Sequence, residues 1–150
     1  MSILDTIFPI NANNEYFGHP FVIPIFWLIT IISLGRSLVH IFKFDGGNET
    51  FASISLRKYP IEASETLIAF AAGFGISQLI TAIVYVVILL RYKSLLSLGI
   101  LLFNIEYLFQ LLIIPALGKK VHAEREPPER ILKYVFLPIG IILFWYSLPY

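Results

Sequence analysis

From residue 66 to residue 90 the chain carries no charged side chain. A helix needs about 20 apolar residues to cross a hydrocarbon layer about 30 Å thick, and this run exceeds that length. Three further segments, 21–42, 95–117 and 131–149, are nearly as apolar. Four spans in 150 residues leave little chain for anything else. Composition agrees: 57% of residues are hydrophobic and only 14% charged. Soluble domains average about 45–50% and about 25%. One small aqueous core cannot hide that much apolar surface, and in lipid the backbone must satisfy its own hydrogen bonds, which selects helices. The expected fold is all-α, a polytopic membrane protein built as a four-helix antiparallel bundle, with residues 1–150 as one transmembrane domain. No internal repeat or low-complexity tract divides it.

The first twenty residues contain Asp5 and Glu15 but no Lys or Arg. A secretory signal has a positive leading region, so the first apolar segment is expected to be retained. Cysteine is absent, which removes thiol redox chemistry and thiolate metal ligands. A net charge of +1 and the lack of a basic run beside aromatics argue against nucleic acid as a partner. Membrane lipids are the expected surroundings, with a homo-oligomer or a membrane complex as further possible partners.

Basic residues are unevenly spread over the connections. The first loop holds Lys43, Arg57 and Lys58, and the third holds Lys119, Lys120, Arg125 and Arg130. The second holds Arg91 and Lys93, while Arg36 and Lys133 lie within spans and are left uncounted. The positive-inside rule then puts the first and third loops in the cytoplasm and both termini outside. Trp27, Trp145, Tyr146 and Tyr150 fall towards the outer ends, and all but the deeper Trp27 suit an aromatic belt.

The first loop contains the turn signal Asp45-Gly46-Gly47, and its "TFASISL" stretch alternates as a short strand or interfacial segment does. Glu62 and Glu65 suit the first turns of the second span. "HAEREPPER" is expected to be a solvated connector whose Pro127-Pro128 precedes the last span. Ala69, Gly73 and Ser77, and Ala71 with Gly75, are small residues at the spacing that lets helices approach closely, and packing within the bundle is their favoured use.

The charged and amide side chains inside the spans carry the functional question. Glu106 falls at the centre of the third span and Gln78 at the centre of the second, with Arg36 on the inner side of the first. Arg36 and His40 share one helix face, as do Glu106 and Gln110. Arg36 should lie about 7 Å nearer the cytoplasm than Glu106, within reach of its long side chain. The geometry permits a polar seam of Arg36, Glu106 and Gln110, with Gln78 beside it and Thr81 and Tyr85 extending it outward. Asn104 and Tyr107 flank Glu106. An ionised residue at mid-bilayer costs roughly 2.5–3.5 kcal/mol on insertion scales, so Glu106 should pair, protonate or meet water. Arg36 is the expected counter-charge. A second group, His40 with Glu62, Glu65 and Tyr134, could do acid–base work at the interface.

His40 is the only histidine within a span, and no HxxxH or HxxE pair occurs, so neither haem nor metal is expected and no cofactor is assigned. The ordered set Arg36-x3-His40, Asp45-Gly46-Gly47, Gly75-x2-Gln78, Arg91-Tyr92-x-Ser94-Leu95 and Glu106-Tyr107 resembles the small four-helix bacterial membrane proteins grouped as DoxX-like, most of them uncharacterised. The resemblance spans about residues 21–117 and implies a bundle in a bacterial inner membrane. It implies no activity: DoxX itself is associated with a quinone-linked oxidoreductase, but no quinone-site residue maps onto this chain. The favoured function is non-enzymatic, binding a small lipid- or quinone-like amphiphile or serving as an accessory subunit. The alternatives are an enzyme using Glu106 or His40 as acid or base, and a proton or ion path.

Overall fold

The computed structural model describes residues 3–118 and 122–149, and among these there is helix and no strand. A short helix α1 (Ile3–Ile7) precedes α2 (Val22–Phe42) and α3 (Ile61–Arg91). The third span is composite: a 3₁₀ turn (Lys93–Leu95), α4 (Leu96–Leu108), a π-helical turn (Phe109–Ile113) and α5 (Ile114–Ala116). The last helix is α6 (Pro128–Ser147). Four of these runs, Val22–Phe42, Ile61–Arg91, Lys93–Ala116 and Pro128–Ser147, are long and apolar enough to cross a membrane, and the chain is a multi-pass membrane protein. Most of each run faces outward, with large apolar side chains such as Phe70, Ile80, Leu102 and Ile141 exposed. In lipid that outward face is the favourable one.

Local chemistry explains the boundaries. Pro60 and Pro127 have extended backbone and stand at the N-caps of α3 and α6. Pro128 occupies the first turn of α6, where a missing N–H costs nothing. Pro115 accounts for the π turn. In a regular helix its ring would meet the Leu111 carbonyl and offer it no donor. The register instead slips by one residue, and Ile114 N–H bonds to the Phe109 carbonyl.

α2 packs along α3 and α4 along α6, while the α2–α6 and α3–α4 edges are slighter. Gly75 makes the first pairing close, for a Cβ there would stand 2.6 Å from the Cβ of His40. Ala71 lies on the same side, against Gly46. Ala69, Gly73 and Ser77 form an exposed row instead, so only one of the two small-residue patterns serves packing within the bundle. Across the α4–α6 pair, Gly140 leaves room for the Asn104 amide.

The buried apolar core lies towards one end. Val22, Phe26 and Ile29 begin α2, Tyr85, Ile88 and Leu89 end α3, Leu96 to Phe103 begin α4, and Leu143 is near the end of α6. Phe26 and Tyr85 rings stand 5.1 Å apart, and Phe103 and Tyr107 rings 4.4 Å. The N-terminal arm and the last residues close this end: Asn13 N–H donates to Ser94 Oγ at 2.9 Å, Ser97 Oγ to the Ser147 carbonyl at 3.0 Å, and His19 N–H to the Tyr146 carbonyl at 2.8 Å. Both termini therefore share one end. Trp145 and Tyr146 are exposed there, Trp27 is half-buried against the core, and Tyr150 lies outside the described residues.

The first and third loops meet at the other end. Glu124 N–H donates to the Ser53 carbonyl at 2.9 Å, and Lys58 pairs with Glu124 at 2.7 Å. Lys119 and Lys120 of the third loop lie outside the described residues. The first loop forms turns and a 3₁₀ segment (Leu56–Lys58), and "TFASISL" makes no strand. Asp45 folds its head inward. Its carboxylate, 1% exposed, accepts from the N–H groups of Gly47 and Glu49, both at 3.1 Å, and lies 3.6 Å from Lys43. Gly46 and Gly47 supply the positive φ values, 59° and 76°, that this turn requires.

Candidate functional site

The interior changes character between the two ends, and the polar side chains lie where the apolar core stops. Four helices each bring one or more: Arg36 from α2, Gln78 from α3, Glu106 from α4 and Glu129 with Lys133 from α6. The expected Arg36–Glu106 pair does not form. Arg36 Nη1 lies 3.6 Å from Glu129 Oε1, and the same carboxylate meets Lys133 Nζ at 2.6 Å. The physical reason is depth. Arg36 sits towards the loop end of α2, and α6 starts at that end with Glu129 in its first turn. The three side chains are 10–15% exposed, a buried triad tying α2 to α6.

Glu106 and Gln110 do meet, Gln110 Nε2 donating to Glu106 Oε1 at 2.9 Å. Arg36, Gln78, Tyr85, Glu106 and Tyr107 share the wall of a cavity of about 20 Å³. Of the seam expected from the sequence, Arg36, Gln78 and Glu106 line this very small space and Gln110 does not. Asn104 is directed elsewhere: it packs against Gly140 of α6, with its Oδ1 unpartnered. His40 is 5% exposed beneath the first loop, its Nδ1 2.7 Å from the Gly46 carbonyl, so Nδ1 carries the proton. Glu62 and Glu65 are exposed on the first turns of α3 and Tyr134 is 61% exposed, so the expected acidic group around His40 is not assembled. Helix α3 starts earlier than the apolar run, and those turns project beyond the packed bundle.

A larger space lies at the loop end. A cleft of about 540 Å³ opens between α3 and the last two spans. Phe74, Leu111, Ile114 and Pro115 give it apolar walls, and Gln110, Glu129, Arg130 and Lys133 a polar side. The π turn and α5 form one wall, so the register slip at Pro115 shapes the cleft. Of the seam residues only Gln110 lines it, and the Gln110–Glu106 hydrogen bond stands between cleft and inner cavity. Glu129 and Lys133 are site residues that the sequence reading left out. Their signal was the i,i+4 spacing at the start of a span, masked by an acidic and basic run that resembled a solvated connector.

Among the described residues no cluster of three His, Asp or Glu side chains is placed to hold a metal ion. Comparison with protein-family models, with curated proteins and with solved structures gives no match. The class of protein is therefore defined by the fold and its polar interior: a multi-pass, four-helix membrane bundle with its apolar core towards the end of its termini and a cleft at the end of its first and third loops.

Proposed function

We propose that this chain binds a small amphiphile, a lipid or a quinone-like molecule, in the loop-end cleft. The observation that carries the reading is the cleft itself. Its 540 Å³ is within the range of about 300–1,000 Å³ usual for small-molecule sites, and it joins an apolar wall to a few convergent polar groups. The tail of an amphiphile would lie against Phe74, Leu111 and Ile114, with its head against Gln110, Arg130 and Lys133. The resemblance to DoxX-like proteins supports a bacterial inner-membrane setting, and the basic loops support their cytoplasmic placement. Native mass spectrometry of the purified protein with its lipid extract tests this reading. The expected result is a retained amphiphile in the wild type that is lost when Ile114→Trp fills the cleft. A wild type without any adduct, or an adduct that Ile114→Trp leaves in place, overturns it.

A second reading is favoured by the exposed row of Ala69, Gly73 and Ser77 on α3. Small residues at this spacing promote helix association in lipid, which suits an accessory subunit or a homo-oligomer. The same spectra report it: a multimer that Gly73→Ile reduces to a monomer supports this use of the row, and a wild-type monomer removes it.

A further inference from the structure

We infer that one water molecule is held at mid-bundle between Gln78 and Glu106, completing a polar seam that the side chains alone leave open. Gln78 is 8% exposed, and neither its Nε2 nor its Oε1 has a hydrogen-bond partner in the protein. Buried amides in folded proteins are normally satisfied at both ends, by protein or by ordered water. Gln78 lies on the wall of the 20 Å³ cavity, opposite polar groups of α2 and α4. A water needs about 10–15 Å³ and two to four polar partners. This space accommodates one water and no organic group.

The charges around the cavity select the same occupant. The Arg36 guanidinium on one wall opposes a metal cation, and the Glu106 carboxylate on another opposes an anion. A neutral molecule that both donates and accepts suits both, and it matches the two ends of the Gln78 amide. Glu106 needs such a partner. Its Oε1 accepts from Gln110, and Arg36 forms its ion pair with Glu129. A water donating to Glu106 and accepting from Gln78 Nε2 would join α3 to α4 across the cavity. The chain Gln78–water–Glu106–Gln110 would then run from the middle of α3 to the edge of the cleft. This inference stands independently of what the cleft binds.

Radiolytic hydroxyl-radical labelling in H₂¹⁸O, on the full chain in lipid nanodiscs, tests it. Radicals formed from a bound water label the rings beside it even where bulk solvent does not reach. Tyr85 and Tyr107, 3% and 4% exposed, line the cavity, and Phe26, 0% exposed, does not. The expected result is ¹⁸O incorporation at Tyr85 and Tyr107 well above that at Phe26, falling to the Phe26 level in Gln78→Leu, with labelling of exposed Tyr146 unchanged. Equal labelling of Tyr85, Tyr107 and Phe26 in the wild type overturns the inference, as does full Tyr85 labelling in a folded Gln78→Leu variant. The wild-type comparison is decisive even where that variant does not fold.

Discussion

Gly73 and Gly75 are two positions apart on α3 and have opposite surroundings. A Cβ on Gly73 would meet nothing within 4 Å, whereas one on Gly75 would meet the Cβ of His40 at 2.6 Å and the Ser37 carbonyl at 3.1 Å. Both of those neighbours belong to a helix and cannot swing aside. Gly75→Ala should therefore destabilise the bundle by about 1–3 kcal/mol, the usual cost of overpacking. Gly73→Ala should instead leave stability unchanged or raise it by up to about 1 kcal/mol, the helix-propensity gain of alanine over glycine. Unfolding in mixed micelles with increasing dodecyl sulfate measures both. Asp45 gives a second prediction at this scale. Burial raises its pKa, but the N–H groups of Gly47 and Glu49 and the charge of Lys43 outweigh that, holding it below the ordinary carboxylate range. A folded-state pKa below the unfolded one means stability that is fully present above about pH 4 and is lost as pH falls through the folded value. Asp45→Asn should lower the melting temperature by a constant amount at neutral pH, and the gap should narrow as the buffer is taken below pH 4. A gap independent of pH would show that the carboxylate charge is irrelevant to the loop.

Elements were more legible in the sequence than their partners were. The apolar runs 21–42, 66–90, 95–117 and 131–149 correspond to helices Val22–Phe42, Ile61–Arg91, Lys93–Ala116 and Pro128–Ser147, because hydrocarbon thickness sets a length that composition reveals. Glu62 and Glu65 marked the early start of α3, while that of α6 was hidden by Glu129 and Arg130, charges that end a hydropathy run without ending a helix. The π turn was hidden too, since Pro115 announces a disturbance but not whether the helix kinks, stops or slips register. Pairing was harder still. Spacing along one helix fixes which side chains share a face, as with Glu106 and Gln110, but not which helix that face meets. Arg36 was assigned to Glu106 on depth and length, and Glu129, nearer in depth and on another helix, takes it instead. A double-mutant cycle separates these two pairings. Arg36→Leu with Glu129→Leu should show a coupling of about 0.5–3 kcal/mol, larger than that of Arg36→Leu with Glu106→Leu. Larger coupling to Glu106 would restore the pairing expected from sequence. Lys133 keeps a contact with Glu129 when Arg36 is removed, so the single Arg36→Leu variant should cost less than Glu129→Leu, which leaves two cations without their shared carboxylate.

At the scale of the whole molecule the two ends differ in construction. Aromatic and aliphatic packing fills the end of the termini, and the N-terminal arm is hydrogen-bonded to the second loop there. The end of the loops has an ion triad, a buried turn and an open cleft. An amphiphile entering from the side would thus find its larger space, about 540 Å³, beside the last two spans at the loop end, against about 240 Å³ under the N-terminal arm at the other. The positive-inside rule predicts from the basic residues which face the loop end meets. Lys43, Arg57, Lys58, Arg125 and Arg130 lie at the loop end, whereas among the described residues the terminus end has Arg91 and Lys93. Hydrogen bonds between the loops and between the arm and the second loop make orientation a property of the entire bundle, so one reporter at each end suffices. The chain has no cysteine, which makes single-cysteine variants clean reporters. Asn14 and His122 are exposed at opposite ends. A membrane-impermeant maleimide should label Asn14→Cys in intact cells, and His122→Cys only after permeabilisation. The reverse pattern would put the cleft on the outer face and set the bundle against the positive-inside rule. Labelling of both from outside would require an even number of crossings between them and so would contradict the three spans that separate Asn14 from His122.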